Sequence, residues 1–192
     1  VESHPLSEVL QQVKNTTNLN DDDSYKQVTV QMNNRGPILR KEVKGREVKT
    51  KRQFIANEGQ FIYSRIDARN GAMGIVPEDL DGAIVTGDFP VFEIDEDIIL
   101  PEYLNVVVST RGFIFECERK SQGTTNRKRL KEKQFLSINI PLPKKEEQIK
   151  VIKVVDDLSS TINLLKAKHQ IIENSLNELI QSLLNKAFNG VE

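Results

Sequence analysis

The sequence predicts a mixed α/β (α+β) protein: a β-rich domain over residues 1–143, then a long coiled-coil helix over 144–190. Three observations predict it. Short β-branched and apolar runs, divided by Gly, Pro and Asp, fill most of the first region. After Pro141-Leu-Pro143 the hydrophobic period changes to 3.5 residues and holds that value from Val151 to Leu183. The 192 residues are 38% hydrophobic with eight Phe, enough for one core and an appendage but short for two full domains.

Taken in order, Tyr25–Gln31 alternates in part after the turn-like Asn20–Ser24 and predicts a strand. Gly59–Ile66 predicts another, ended by the loop Asp67–Gly71. Ala72–Val76, Ala83–Thr86 and Pro90–Ile94 are short apolar runs separated by Pro77, Asp81-Gly82 and Gly87-Asp88. Leu100–Thr110 and Arg111–Lys120 fit either period, and helix is the preferred reading. Phe135–Ile140 alternates again and predicts a strand stopped by Pro141. From Lys144 to Asn189 neither Pro nor Gly occurs, and Val151, Val155, Leu158, Ile162, Leu165, His169, Ile172, Leu176, Leu179 and Leu183 follow at alternating steps of four and three. At 1.5 Å per residue such a helix is roughly 65 Å long, and its seam requires another helix. Nothing else in the chain matches its length, so the partner helix is expected in a second copy or in a missing part of a longer polypeptide. His169 occupies an a position, where a polar side chain fixes register; a metal or pH-sensing role lacks a second ligand nearby.

Composition excludes several classes. The longest charge-free stretch, Gln134–Pro143, is ten residues with two prolines, against the roughly 20 apolar residues a bilayer span needs. The N-terminus has neither a basic nor an apolar leader region, and the single Cys117 cannot form an internal disulfide, so a reducing cytoplasm is expected. The start at Val1 rather than Met points to an excised segment.

A formal net charge of −1 conceals segregation along the chain. Arg35 to Arg69 holds ten basic and four acidic residues, and Arg111 to Lys133 holds eight against three. Pro77 to Glu102 carries nine acids and no base. If the fold gathers the two basic segments on one side, they form a patch able to displace counterions from a phosphate backbone; otherwise they are a solvated surface of mixed sign.

Most catalytic chemistry lacks its motif. There is no Gly-rich phosphate loop, no Cys/His cluster at metal spacing and no Ser elbow. Cys117 reads as buried filler, since only His4 and His169 could serve it as a base. Asn15-Thr-Thr17 has the form of a glycosylation acceptor but has no use without secretion. Two alternatives stay open. Asp23 with Glu42-Val-Lys44 or Glu47-Val-Lys49 has the form of a Mg²⁺-dependent nuclease site, competing with a plain surface hairpin. A coiled-coil adaptor with no DNA role is the other.

Three stretches together resemble the specificity subunits of type I restriction-modification systems. Gly59-Gln-Phe-Ile-Tyr-Ser-Arg-Ile-Asp-Ala-Arg-Asn-Gly-Ala72, continuing through Gly74-Ile-Val-Pro77, Leu80–Thr86 and Asp88-Phe-Pro90, resembles their target-recognition domain. Gly123-Thr-Thr-Asn-Arg-Lys-Arg-Leu130 is similar to a later loop of that domain. Ile140-Pro-Leu-Pro143, Glu146-Glu-Gln148 and the heptad helix ending at Leu183–Gly190 resemble the exit into a spacer helix. The likeness implies a non-catalytic reader of double-stranded DNA, with two recognition domains and two antiparallel spacer helices in the usual member against one of each here. A half-subunit that forms a homodimer, reading a palindromic split target, or a fragment is therefore expected. The resemblance implies methyltransferase and restriction subunits as partners, which would use S-adenosylmethionine, ATP and Mg²⁺.

The side chains suit that role. Arg65 and Arg69 offer forked donors for guanine, Asn70 can pair with adenine, and Gly71 permits close approach. Thr124, Thr125 and Asn126 offer small polar groups to phosphates or base edges, while Arg127, Lys128 and Arg129 can neutralise phosphates. The competing structural roles are an Arg65–Asp67 surface pair and a helix cap at Arg129.

Overall fold

The computed structural model describes residues 2–123 and 128–189. Contacts divide the chain into a unit ending at Ile149 and a second beginning at Lys150.

Eleven strands are present among the described residues: β1 (Ser3–Pro5), β2 (Leu10–Val13), β3 (Thr16–Asn18), β4 (Ser24–Gln31), β5 (Gly36–Lys44), β6 (Arg52–Ala56), β7 (Phe61–Tyr63), β8 (Met73–Ile75), β9 (Ala83–Val85), β10 (Val91–Ile94) and β11 (Asn139–Pro141). They form a five-stranded sheet ordered β3-β6-β9-β4-β5, a four-stranded sheet ordered β2-β10-β7-β8, and the pair β1-β11. Every pairing is antiparallel except the single β4–β9 contact at Gln27 and Ile84. The strand expected at Tyr25–Gln31 is β4, and its β-branched Val28 and Val30 are buried. It continues into β5 through Met32-Asn33-Asn34-Arg35, where Asn33 and Asn34 both have positive φ (61° and 57°). That combination is the primed turn whose twist matches a hairpin, and Asn tolerates it better than any other side-chain-bearing residue.

Alternation along two short strands sorts the core into layers. Ile62 and Val91 join Val28, Val30, Ala56 and Val85 in a cluster shared by the two larger sheets. Their neighbours Phe61, Tyr63 and Phe92 point the other way, as the two-residue period requires. They meet Phe135 at ring-centroid distances of 5.9, 4.2 and 5.8 Å, and Phe113 closes the cluster edge-on at 6.0 Å. Phe113 lies on α2 (Arg111–Lys120), which follows α1 (Pro101–Val108); both helices agree with the preferred reading. Pro101 stands in the first turn of α1, and Thr110 Oγ1 accepts from Phe113 N at 3.3 Å to cap α2.

Two expected strands are corrected. Of Gly59–Ile66 only Phe61–Tyr63 is extended, because Gly59 sits at φ +77° and Ala68 N donates back to Ser64 O at 2.9 Å, bending the chain after Tyr63. The alternating Phe135–Ile140 is split between a short helix α3 (Glu132–Leu136) and β11, since burying Phe135 in the aromatic cluster outweighs strand propensity. Pro141 is accommodated in β11 because that strand has only β1 beside it.

The long helix α4 spans Lys145–Asn189 without interruption, as the sequence predicts. Its first turn is anchored by Gln148, which is fully buried. The Gln148 amide accepts from Leu100 N at 2.8 Å and donates to Ile98 O at 3.0 Å and Pro143 O at 2.9 Å. Beyond Lys150 every seam residue is exposed except the half-buried Val155. His169 lies 3.3 Å from Glu173, one turn along the same helix. Among the described residues no helix is long and apolar enough to cross a membrane.

Candidate nucleic-acid interface

The turn that follows β7 is built by its own polar groups. Ser64 N donates to Ala72 O at 2.8 Å, closing the base, and Asn70 N donates to Asp67 O at 2.8 Å. Ala68–Asn70 makes one 3₁₀ turn that Gly71 ends in the left-handed region at φ 74°. Asn70 is exposed, with its amide donating to Asp67 Oδ1 at 3.3 Å, and Arg69 is half-buried.

The β4–β5 hairpin tip is bonded directly to this turn. Asn33 N donates to Asn70 O at 2.8 Å and Asn34 N to Gly71 O at 3.0 Å. Asn34 Nδ2 also donates to Ser109 O at 3.3 Å. Gly71 has φ +74°, which L side chains rarely adopt, and a Cβ there would also meet Asn34 Oδ1 at 2.5 Å, so the turn favours glycine. Met32, Asn33, Arg69, Asn70 and Ile114 of α2 line an open groove of about 450 Å³ at this junction.

A second junction joins the basic segments. Arg65 N donates to Asp88 O at 2.9 Å, and Arg65 O accepts from Leu130 N at 2.8 Å. The Arg65 guanidinium is paired with Glu132, whose carboxylate also accepts from Gln12 Nε2 at 3.2 Å. Burial pushes the Glu132 carboxyl up, but hydrogen bonds from Arg65, its own backbone and Gln12 outweigh it and hold the group below the ordinary carboxylate range. Arg129 Nη1 lies 3.1 Å from Asp88 Oδ1. Tyr63 O–H donates to Leu130 O at 3.0 Å, and burial raises its pKa well above that of a free tyrosine. Burial likewise pushes the Cys117 thiol up to about 12 and leaves it without thiolate character.

Sequence-predicted residues are thus distributed over two neighbouring loops. Arg69, Asn70 and Gly71 share one turn. Arg65 is committed to Glu132 rather than to Asp67, and Arg129 to Asp88 rather than to a helix end. Lys128 is half-buried beside Arg129. Thr124, Thr125, Asn126 and Arg127 lie outside the described residues. Sequence reasoning missed the tip residues Asn33 and Asn34; two turn-forming Asn following a β-branched run were the available signal. It also missed Glu132 and Asp88, for which no local signal exists.

The residues of the nuclease alternative have other tasks. Glu47 Oε2 accepts from Lys44 N at 2.7 Å, Lys44 Nζ donates to Asp22 O at 2.9 Å, and Asp23 Oδ2 accepts from Asn20 Nδ2 at 2.9 Å. Glu42 is exposed on the hairpin opposite Lys26. Among the described residues no three or more His, Cys, Asp or Glu are grouped to hold a metal.

A β-rich unit that presents paired loops and continues into an apolar-seamed helix defines a class. The chain belongs to the type I restriction modification DNA specificity domain family, whose model matches residues 1–174. A relative, the type I restriction enzyme HindI specificity subunit of Haemophilus influenzae, is 32% identical over 129 residues, 65% of this chain and 28% of that protein. The fold matches that of the HsdS subunit from Thermoanaerobacter tengcongensis with a TM-score of 0.77 and 19% identity, over 96% of this chain and 48% of that one. A chain from a structural study of complex assembly and conformational transition of the type I R-M system gives a TM-score of 0.74 at 19% identity, covering 97% of this chain and 49% of its own length. This chain therefore spans about half the length of the solved relatives and a smaller share of the curated one.

Proposed function

We propose that the chain reads a DNA sequence in double-stranded form and directs methyltransferase and restriction subunits to it, itself taking no part in the chemistry. The observation that carries this reading is the meeting of the two basic segments. The Ala68–Asn70 turn packs on α2, and the chain at Arg65 is hydrogen-bonded to Leu130, so the two segments share one region. Arg69 and Asn70 there supply the donors and acceptors that distinguish guanine and adenine edges, and Lys128 with Arg127 supplies phosphate neutralisation. S-adenosylmethionine, ATP and Mg²⁺ belong in this reading to the partner subunits, and the setting is the cytoplasm.

The target is bipartite in this reading. Residues 1–143 form the reader and the helix over 144–190 measures distance, its seam covered by a like helix from a second copy or from the other half of a longer chain. An exposed row of Leu and Ile at 3.5-residue spacing supports that arrangement.

Titration of the full chain, with its methyltransferase subunit, against a random-sequence duplex tests the reading. Binding is expected at low salt, with log K falling linearly against log salt by about 0.9 per phosphate neutralised. Charge reversal at Arg127 and Lys128 weakens binding to all duplexes, whereas Arg69→Ala changes which sequence is preferred. A parent complex that ignores duplex DNA refutes it and leaves the adaptor alternative standing.

A further inference from the structure

The hairpin tip Met32–Arg35 has no part in the reading above, yet it is fastened into the same surface. Its backbone donates twice to the 68–71 turn, and the Asn34 side chain lies close against Gly71. Main-chain bonds and the Asn34 contact to Ser109 tie the two loops together, the preorganisation that a base-reading element requires. Asn33 is exposed at the tip, has a left-handed backbone (φ 61°) and lines the groove it shares with Arg69 and Asn70.

We propose that the tip is a second reading loop and that Asn33 is a specificity-determining residue contacting a base edge; this rests on the DNA-recognition reading and deepens it. A carboxamide carries one donor and one acceptor in the spacing of adenine N6 and N7. The surroundings suit the same target. Arg69 lines the same groove with a cation for the backbone and Arg35 follows two residues along the chain, while Met32 and Ile114 provide apolar surface fit for a thymine methyl beside the adenine. The preferred ligand is therefore the major-groove edge of an A·T pair adjacent to the bases read by Arg69 and Asn70.

Selection of the full-length chain in its complex from a random duplex library, followed by sequencing, tests this. Asn33→Gly keeps the left-handed backbone free of strain, so the hairpin is retained while the amide is lost. The variant is expected to lose about tenfold discrimination at one or two A·T positions of the consensus, with the remaining positions intact and random-duplex affinity within about twofold of the parent. If Arg69→Ala alters the consensus and Asn33→Gly leaves it identical to the parent's, the inference fails and the DNA-recognition reading survives. If the parent enriches no sequence, both fall together.

Discussion

Phe135 and Leu165 are both large apolar residues, and the fold treats them in opposite ways. Phe135 is fully buried and touches four aromatic rings, while Leu165 is 60% exposed on a helix whose nearest apolar seam positions on either side, Ile162 and, beyond His169, Ile172, are 49% and 64% exposed. Before Ile149 the chain buries most of its large apolar side chains, with Met32, Leu39, Ile98 and Phe115 among the exceptions; beyond Lys150 it displays them at a regular interval. The difference teaches that the first unit draws its stability from within. The helix must draw its stability from whatever covers the seam, because isolated helices gain little from propensity alone.

The largest expected effect separates these two sources. Phe135→Ala removes the hub of the aromatic cluster and should cost about 3–5 kcal/mol in denaturant unfolding of the full chain. Leu165→Ala should leave that transition in place at concentrations where the chain is monomeric and, where a second copy covers the seam as proposed, weaken self-association measured by light scattering. An equal loss of monomer stability from both substitutions would break the comparison.

The same contrast holds for glutamine. Gln148→Leu strands one donor and two acceptors around the first turn of α4, a change worth about 3 kcal/mol of folding stability. Gln170 also makes a side-chain hydrogen bond, to Asn174 Oδ1 at 3.1 Å, but on the exposed helix. Gln170→Leu should therefore move the unfolding midpoint by less than about 0.5 kcal/mol. Thermal unfolding of the two variants side by side sharpens the boundary between self-supported and partner-supported regions.

What the sequence made legible follows from how local each cause is. The period of 3.5 residues announces α4, and the β-branched run announces β4, because both patterns lie within a single element. Gln148 sits in a stretch that resembles the family's helix exit, yet its three bonds to Ile98, Leu100 and Pro143 are invisible until α1 is placed beside it. Strands of three to five residues such as β1, β3 and β6 have too few positions to show a period. Phe135 alternates with its neighbours as a strand would, but tertiary burial decides its helical turn. At the candidate site Arg69, Asn70 and Gly71 are readable as one loop. Their attachment to Asn33 and Asn34 spans the whole of β5, β6 and β7, and the pairing of Arg65 with Glu132 spans 67 residues, so neither has a signature along the chain.

The smallest effect concerns that ion pair and its dependence on pH. The Glu132 side chain is 19% exposed and that of Arg65 28%, whereas the Arg119–Glu116 pair on α2 has its arginine 60% exposed. Glu132→Gln should cost about 1–2 kcal/mol near neutrality, and Glu116→Gln, on the solvent-screened surface pair, distinctly less. The folded-state carboxyl of Glu132 lies below its unfolded value, so its contribution is complete above about pH 4.3 and is lost as pH falls through the lowered folded value. Parent and Glu132→Gln should therefore converge in strong acid when unfolding is measured at stepwise lower pH. Because Arg65 also holds the backbone contacts to Asp88 and Leu130, loss of the pair loosens the strip linking the two basic segments while leaving the Asn33–Asn70 junction intact. Acid should then weaken contacts made by the 128–130 strip before those made by the hairpin tip. Hydrogen exchange at the Leu130 amide, compared with the Asn33 amide over the same pH series and corrected for intrinsic rates, reports that order directly; equal protection losses at both would mean that the two loops unfold as a single piece.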